Sequence, residues 1–119
     1  MSEAQTEVET PSIARELSAF QQNILAILAE EARYGLAVKR ELETYYDSDV
    51  NHGRLYPNLD DLVEMDLVEK SELDKRTNEY SLTEKGYDVL LEQLAWEFGK
   101  ITTEDGRADD IREILEDAA

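Results

Sequence analysis

The sequence predicts a mainly α-helical fold with a small β-hairpin placed before its last long helix. Three observations carry this. Apolar residues recur at helical spacing in successive segments of the chain. Two short strand-like segments, LVEK at 67–70 and EYSL at 79–82, flank the polar tip DKRTN. No apolar run approaches the roughly 20 residues needed to span a membrane. With 119 residues and 41% hydrophobic content, the chain is sized for one domain with a modest core.

Residues 1–11 are polar, acidic and without periodicity, and read as a flexible tail. Thr10-Pro11 looks like an N-cap followed by proline at the first helical position, opening a short helix over SIAREL. Ser18 and Gln21 fit a capping box, and Phe20, Ile24, Ile27 and Leu28 predict a helix over 19–32. Gly35 interrupts the pattern, which resumes over 36–46 through Leu36, Leu42 and Tyr46. After the loop DSD, Leu55, Leu59, Leu62 and Val63 predict a third helix. Pro57 lies in its first turns, where a missing N–H costs less than in mid-helix. Beyond the hairpin, Thr83 caps a long helix carrying Tyr87, Leu90, Leu91, Leu94 and Phe98, with Gly99 as its expected end. Ile111, Ile114, Leu115 and Ala118 mark a short C-terminal helix. Three helices, a hairpin and a further helix make a winged helix-turn-helix.

Composition narrows the function classes. There is no cysteine, so the chain has no disulfide, thiolate metal site or thiol redox chemistry of its own. The N-terminus lacks the basic and apolar regions of a signal peptide, and the expected location is cytoplasmic. Acids outnumber bases 29 to 12, giving a formal charge of −17, and only five residues are lysine. Carboxylates spread along the whole chain read as the surface of a halophile protein. In molar salt, screening acts over only ~3 Å, so a negative net charge does not by itself exclude DNA as partner.

Against this background, three windows that are not merely core lack acids. They are ARYGLAVKR at 32–40, VNHGRLYPNL at 50–59 and KRTN at 75–78. They fall at the start of the second helix, the start of the third and the hairpin tip, the parts that face DNA in such folds. Phosphate contact needs cations and tolerates few carboxylates nearby. The candidate DNA-binding residues are Arg33, Lys39, Arg40, Asn51, His52, Arg54, Tyr56, Asn58, Lys75, Arg76 and Thr77. On a helical wheel Arg54 and Asn58 point away from Leu55 and Leu59. The acids Asp60-Asp61 return one turn later, so only the beginning of this helix is expected to enter a groove. Arg can pair with guanine and Asn with adenine, and either can bind phosphate.

The segments YG at 34–35, GRLYPNLDDLVEMDLVE at 53–69 and EYSLTEKG at 79–86 resemble the PadR-type winged-helix transcription regulators over about residues 18–98. The matching positions are Gly53, Leu55-Tyr56-Pro57, Leu59, Tyr80, Leu82, Thr83 and Gly86. The halophile composition points to haloarchaeal members, which include an oxidative-stress regulator. The resemblance implies a homodimeric DNA-binding regulator, with the third helix in the major groove and the wing on the backbone. It also implies a dimer built by the long C-terminal helix, with candidates Phe20, Tyr87, Leu90, Leu91, Leu94 and Phe98. The chain then divides into a tail (1–11), a DNA-binding domain (12–82) and dimerisation helices (83–119). Two departures stand out: Asp66 replaces a frequent glycine, and Asp60-Asp61 replaces frequently basic positions.

Other readings are weaker. Asp47, Asp49 and Asn51 have calcium-loop spacing, but the glycine comes one residue late at Gly53 and position 12 is Asn58. His52 is the sole histidine, and a metal site there would need Asp47 or Asp49. No phosphate loop, nucleophile elbow or catalytic histidine pair suggests an enzyme. No cofactor is expected beyond bound salt cations. The alternative function is a winged-helix module that binds protein without DNA, which the net charge favours and the cleared windows oppose.

Overall fold

The computed structural model describes residues 16–72 and 77–118. Among the described residues, five helices and three strands follow in the order α1 (Ala19–Glu30), β1 (Arg33–Tyr34), α2 (Gly35–Tyr46), α3 (His52–Glu64), β2 (Val68–Glu72), β3 (Asn78–Leu82), α4 (Glu84–Ile101) and α5 (Arg107–Ala118). Each of the first, third and fourth helices starts on a side-chain cap. In α1, Ser18 Oγ accepts from the Gln21 amide and Gln21 Oε1 accepts from the Ser18 amide, each at 3.1 Å. In α3, Asn51 Oδ1 accepts from the Arg54 amide at 2.8 Å. In α4, Thr83 Oγ1 accepts from the Gly86 amide at 3.0 Å. These bonds satisfy amides that the helical ladder leaves orphaned.

The core collects the inward stripe of each element. Ile24 and Leu25 of α1, Val38 and Leu42 of α2, and Leu55, Leu59 and Leu62 of α3 are fully enclosed. Val68 and Tyr80 close it from the sheet, and Val89 closes it from α4. Burying each such aliphatic side chain contributes roughly 1.5–3 kcal/mol. Val89 was not among the expected apolar positions of this helix. Of the five residues expected there, Tyr87, Leu91 and Leu94 are exposed, and Leu90 and Phe98 are half-buried.

The wing has three strands in the order β1-β3-β2, all antiparallel. The hairpin pairs Val68 with Leu82 and Glu72 with Asn78, while Arg33 and Tyr34 pair with Tyr80 and Glu79. The third strand corrects the expectation of a two-stranded hairpin. α1 stops at Glu30, two residues short of the expected end, and the chain runs extended into β1. Gly35 starts α2 and does not interrupt it. A second correction concerns α4, which passes through Gly99 to Ile101 and closes on Thr102, whose amide donates to the Phe98 carbonyl at 2.8 Å. A mid-helix glycine costs only about 1 kcal/mol, too little to end a helix by itself. The left-handed turn comes later, at Gly106 with φ +91°.

The junction between α3, β2 and α4 is tight. Asp66 adopts φ +64°, the conformation that favours glycine, so the turn keeps its shape despite the substitution. Thr83 Oγ1 donates to the Asp66 carbonyl at 2.6 Å and Lys85 Nζ to the Met65 carbonyl at 3.2 Å. A Cβ on Gly86 would lie 2.2 Å from the Leu67 carbonyl oxygen, so only glycine lets α4 approach this closely. Among the described residues no helix is long and apolar enough to cross a membrane. The Thr10-Pro11 cap and most of SIAREL lie outside the described residues.

Candidate nucleic-acid interface

The first turns of α3 form the centre of the site. Leu55, Leu59 and Leu62 hold the helix to the core, and its first turn contains no acid. His52, Gly53, Arg54 and Pro57 are exposed, with Asp60 and Asp61 exposed one turn further along. The His52 ring stacks on Tyr56 with centroids 5.5 Å apart and planes 4° from parallel. The Arg54 guanidinium carbon lies 4.0 Å from the centre of the Phe20 ring and 5.9 Å from that of Tyr46. Asn58 Nδ2 donates to the Arg54 carbonyl at 2.7 Å, which ties one of its donors to its own helix. The helix runs unbroken through Pro57.

The turn before α3 is held by one carboxylate. Glu43 Oε2 accepts from the Val50 amide at 3.0 Å and from Lys39 Nζ at 3.1 Å. The Val50 amide, then Lys39, pulls the Glu43 carboxyl below its ordinary value. Asp47 ends α2 with φ +55°, and the Asp47 and Ser48 amides both turn back to the Glu43 carbonyl.

A groove of about 440 Å³ separates the start of α2 from the wing. Tyr34, Arg40, Tyr56, Thr77, Asn78 and Tyr80 line it, with Gly35 at its floor. A Cβ on Gly35 would fall 2.8 Å from the Tyr56 hydroxyl, so the segments YG and LYP are two sides of one contact. Burial pushes the Tyr80 phenol up, with the charges of Asp60 and Tyr56 adding to it.

The predicted residues therefore separate into groups. Arg54, His52, Tyr56 and Asn58 gather on α3, and Arg40 and Thr77 lie across the groove. Asn51 is committed to capping. Arg33 is ion-paired: Glu30 pairs with it, as do Glu31 at 3.5 Å and Glu41 at 3.9 Å, and its side chain is largely buried. Its window is acid-free in sequence, yet the flanking acids fold back around it. Lys39 is held by Glu43. Lys75 and Arg76 lie outside the described residues. Phe20 lies inside the core cluster. It is 4% exposed and stacked on Tyr46 within its own protomer. Tyr87, Leu91 and Leu94 are exposed on α4, while Leu90 and Phe98 are half-buried. The shelf beneath Arg54, made of buried Phe20 and half-buried Tyr46, escaped sequence reasoning, because residues 20, 46 and 54 meet only in the fold. Among the described residues no group of three or more histidines or acids could hold a metal ion.

Three packed helices, a tight turn before the third, and a β-wing define a winged helix-turn-helix protein with an acid-free helix end beside the wing. The family profile of PadR-like transcriptional regulators matches residues 24–92, and the chain belongs to that family of DNA-binding transcription regulators. It is similar to RosR of Halobacterium salinarum. With RosR in the RosR-S4 complex it shares 59% identity and a TM-score of 0.88, covering 92% of this chain and 95% of that one. With RosR grown from NaBr the values are 60% and 0.84, covering 88% and 96%. A PadR-family regulator from Clostridium difficile shares the fold at 21% identity and a TM-score of 0.56, covering 70% and 92%. No curated protein matches the chain.

Proposed function

We propose that the chain works as a cytoplasmic homodimer in a salt-rich cell, inserting only the first turns of α3 into the major groove and resting the wing on the backbone. The family is one of transcription regulators and not of enzymes. The observation that carries the docking face is Arg54. In a chain of charge −17, it stands at an acid-free helix end and forms no ion pair among the described residues, whereas Arg33 and Lys39 are neutralised by glutamates. Similarity to RosR supports a haloarchaeal setting and the oxidative-stress role that the resemblance implies. With no cysteine, any oxidative signal reaches the protein by a route other than its own thiols.

The direct test is retention of duplex DNA by the protein in molar KCl. Arg54→Ala, and separately Lys75→Ala with Arg76→Ala, should each weaken binding by about tenfold, the loss of roughly 1–2 kcal/mol for a charged contact. Both variants should keep the oligomeric state of the parent. Unchanged affinity in both would refute this docking face.

A further inference from the structure

The aromatic pair beneath Arg54 does more than fill space. Phe20 and Tyr46 stack with ring centroids 6.1 Å apart, and Asn23 Nδ2 donates to the Tyr46 hydroxyl at 2.9 Å, which fixes the second ring. The Arg54 guanidinium lies over Phe20 at cation–π distance. A guanidinium carbon held over a ring leaves N–H donors around the edge of the fork to meet a ligand. No carboxylate pairs with these donors among the described residues, despite the acidity of the chain. The long side chain is thereby confined before any ligand arrives, which removes part of the ordering cost of binding.

We infer that Phe20 and Tyr46 are positioning residues for DNA recognition, holding the Arg54 fork at the tip of α3 so that it meets the groove in one orientation. The inference rests on the docking face proposed above. Phe20 touches no DNA in this arrangement and acts through Arg54 alone.

The test is a double-mutant cycle. The probe is a 25-base-pair duplex selected by the parent protein from a random library, compared with a scrambled duplex of the same length. Phe20→Leu should reduce affinity for the selected duplex by about two- to fivefold and narrow its lead over the scrambled one. In an Arg54→Ala background the same change should have no further effect. An equal loss in both backgrounds would show that Phe20 acts only through the fold, and no loss in either would also overturn the inference. If Arg54→Ala itself costs nothing, the docking face fails, and the shelf has nothing to position. Should Phe20→Leu not fold, Tyr46→Leu takes its place in the cycle. A measurement on the parent protein is independent of folding: Arg54 side-chain proton signals should be shifted upfield by the ring current. Unshifted signals would refute the stacked arrangement.

Discussion

Glu43 serves two donors with one oxygen, joining α2 to the turn that sets the angle of α3. Its carboxyl is pulled below the ordinary value of 4.5, first by the Val50 amide and then by Lys39. A lowered pKa adds stability that is fully present above the unfolded value and is lost as pH falls through the folded one. Glu43→Gln should therefore destabilise the parent fold at neutral pH, and the difference should shrink as acid is added below pH 4.5. Chemical denaturation at a series of pH values measures this. Gly86 makes a sterically sharper case. Gly86→Ala would drive a methyl group to 2.2 Å from the Leu67 carbonyl oxygen, backbone that cannot swing aside. The expected cost is about 3 kcal/mol, read from the denaturation midpoint.

Helix α4 has two faces with different duties. Gly86 and Val89 seat it on the core, while Tyr87, Leu91 and Leu94 form an outward stripe at spacings of four and three residues. Exposed Trp96 adds to the apolar surface of the helix. In the proposed homodimer this stripe meets its symmetric copy. Leu91→Glu together with Leu94→Glu should dissociate the dimer by placing carboxylates in an apolar contact. Sedimentation should then show a monomer that keeps its helical circular dichroism, because neither residue belongs to the core. At the same scale, α3 shows what a capped helix with its acids displaced toward the C-terminal end can do. Arg54 is exposed at one end, and in the docking proposed above the exposed Asp60 and Asp61 limit how deeply the helix lies against a polyanion.

Across the whole molecule, the strong negative charge sets the terms of DNA binding. An ordinary basic regulator releases one set of counterions per phosphate contact, and its affinity falls steeply with salt. Here Asp60 and Asp61 stand within one turn of the proposed contacts. We propose that cations drawn in to screen them on binding oppose the cations released from DNA. The logarithmic slope of affinity against KCl should be shallower than about −0.9 per phosphate contact, and Asp60→Asn with Asp61→Asn should steepen it. A fluorescence titration from 0.5 to about 3 M KCl decides the matter, spanning the range where the screening length is ~3 Å at 1 M.

Periodicity and capping chemistry determined most of the elements, because both are local. Ser18 with Gln21, Thr83 before EKG, and the buried Leu55, Leu59 and Leu62 were legible in the linear chain. So was the family, since its motif positions include Gly86, where close approach of the Leu67 backbone admits no larger residue. Other features depended on which distant segments meet. β1 is two residues long, too short for alternation to show, and exists only because β3 offers it an edge. Arg33 looked free in an acid-free window, but Glu41, a turn along α2, and Glu30 and Glu31 close around it in space. Phe20 read as a core-helix residue in the linear chain, and only the fold shows that Tyr46 and Arg54 lie against it from two other helices. A sequence reports the charge and shape of each side chain. Whether that charge is neutralised depends on how the local chain turns its flanking acids, as at Arg33, and whether that surface is covered depends on residues 26 and 34 positions away, as at Phe20, so only the tertiary structure decides both.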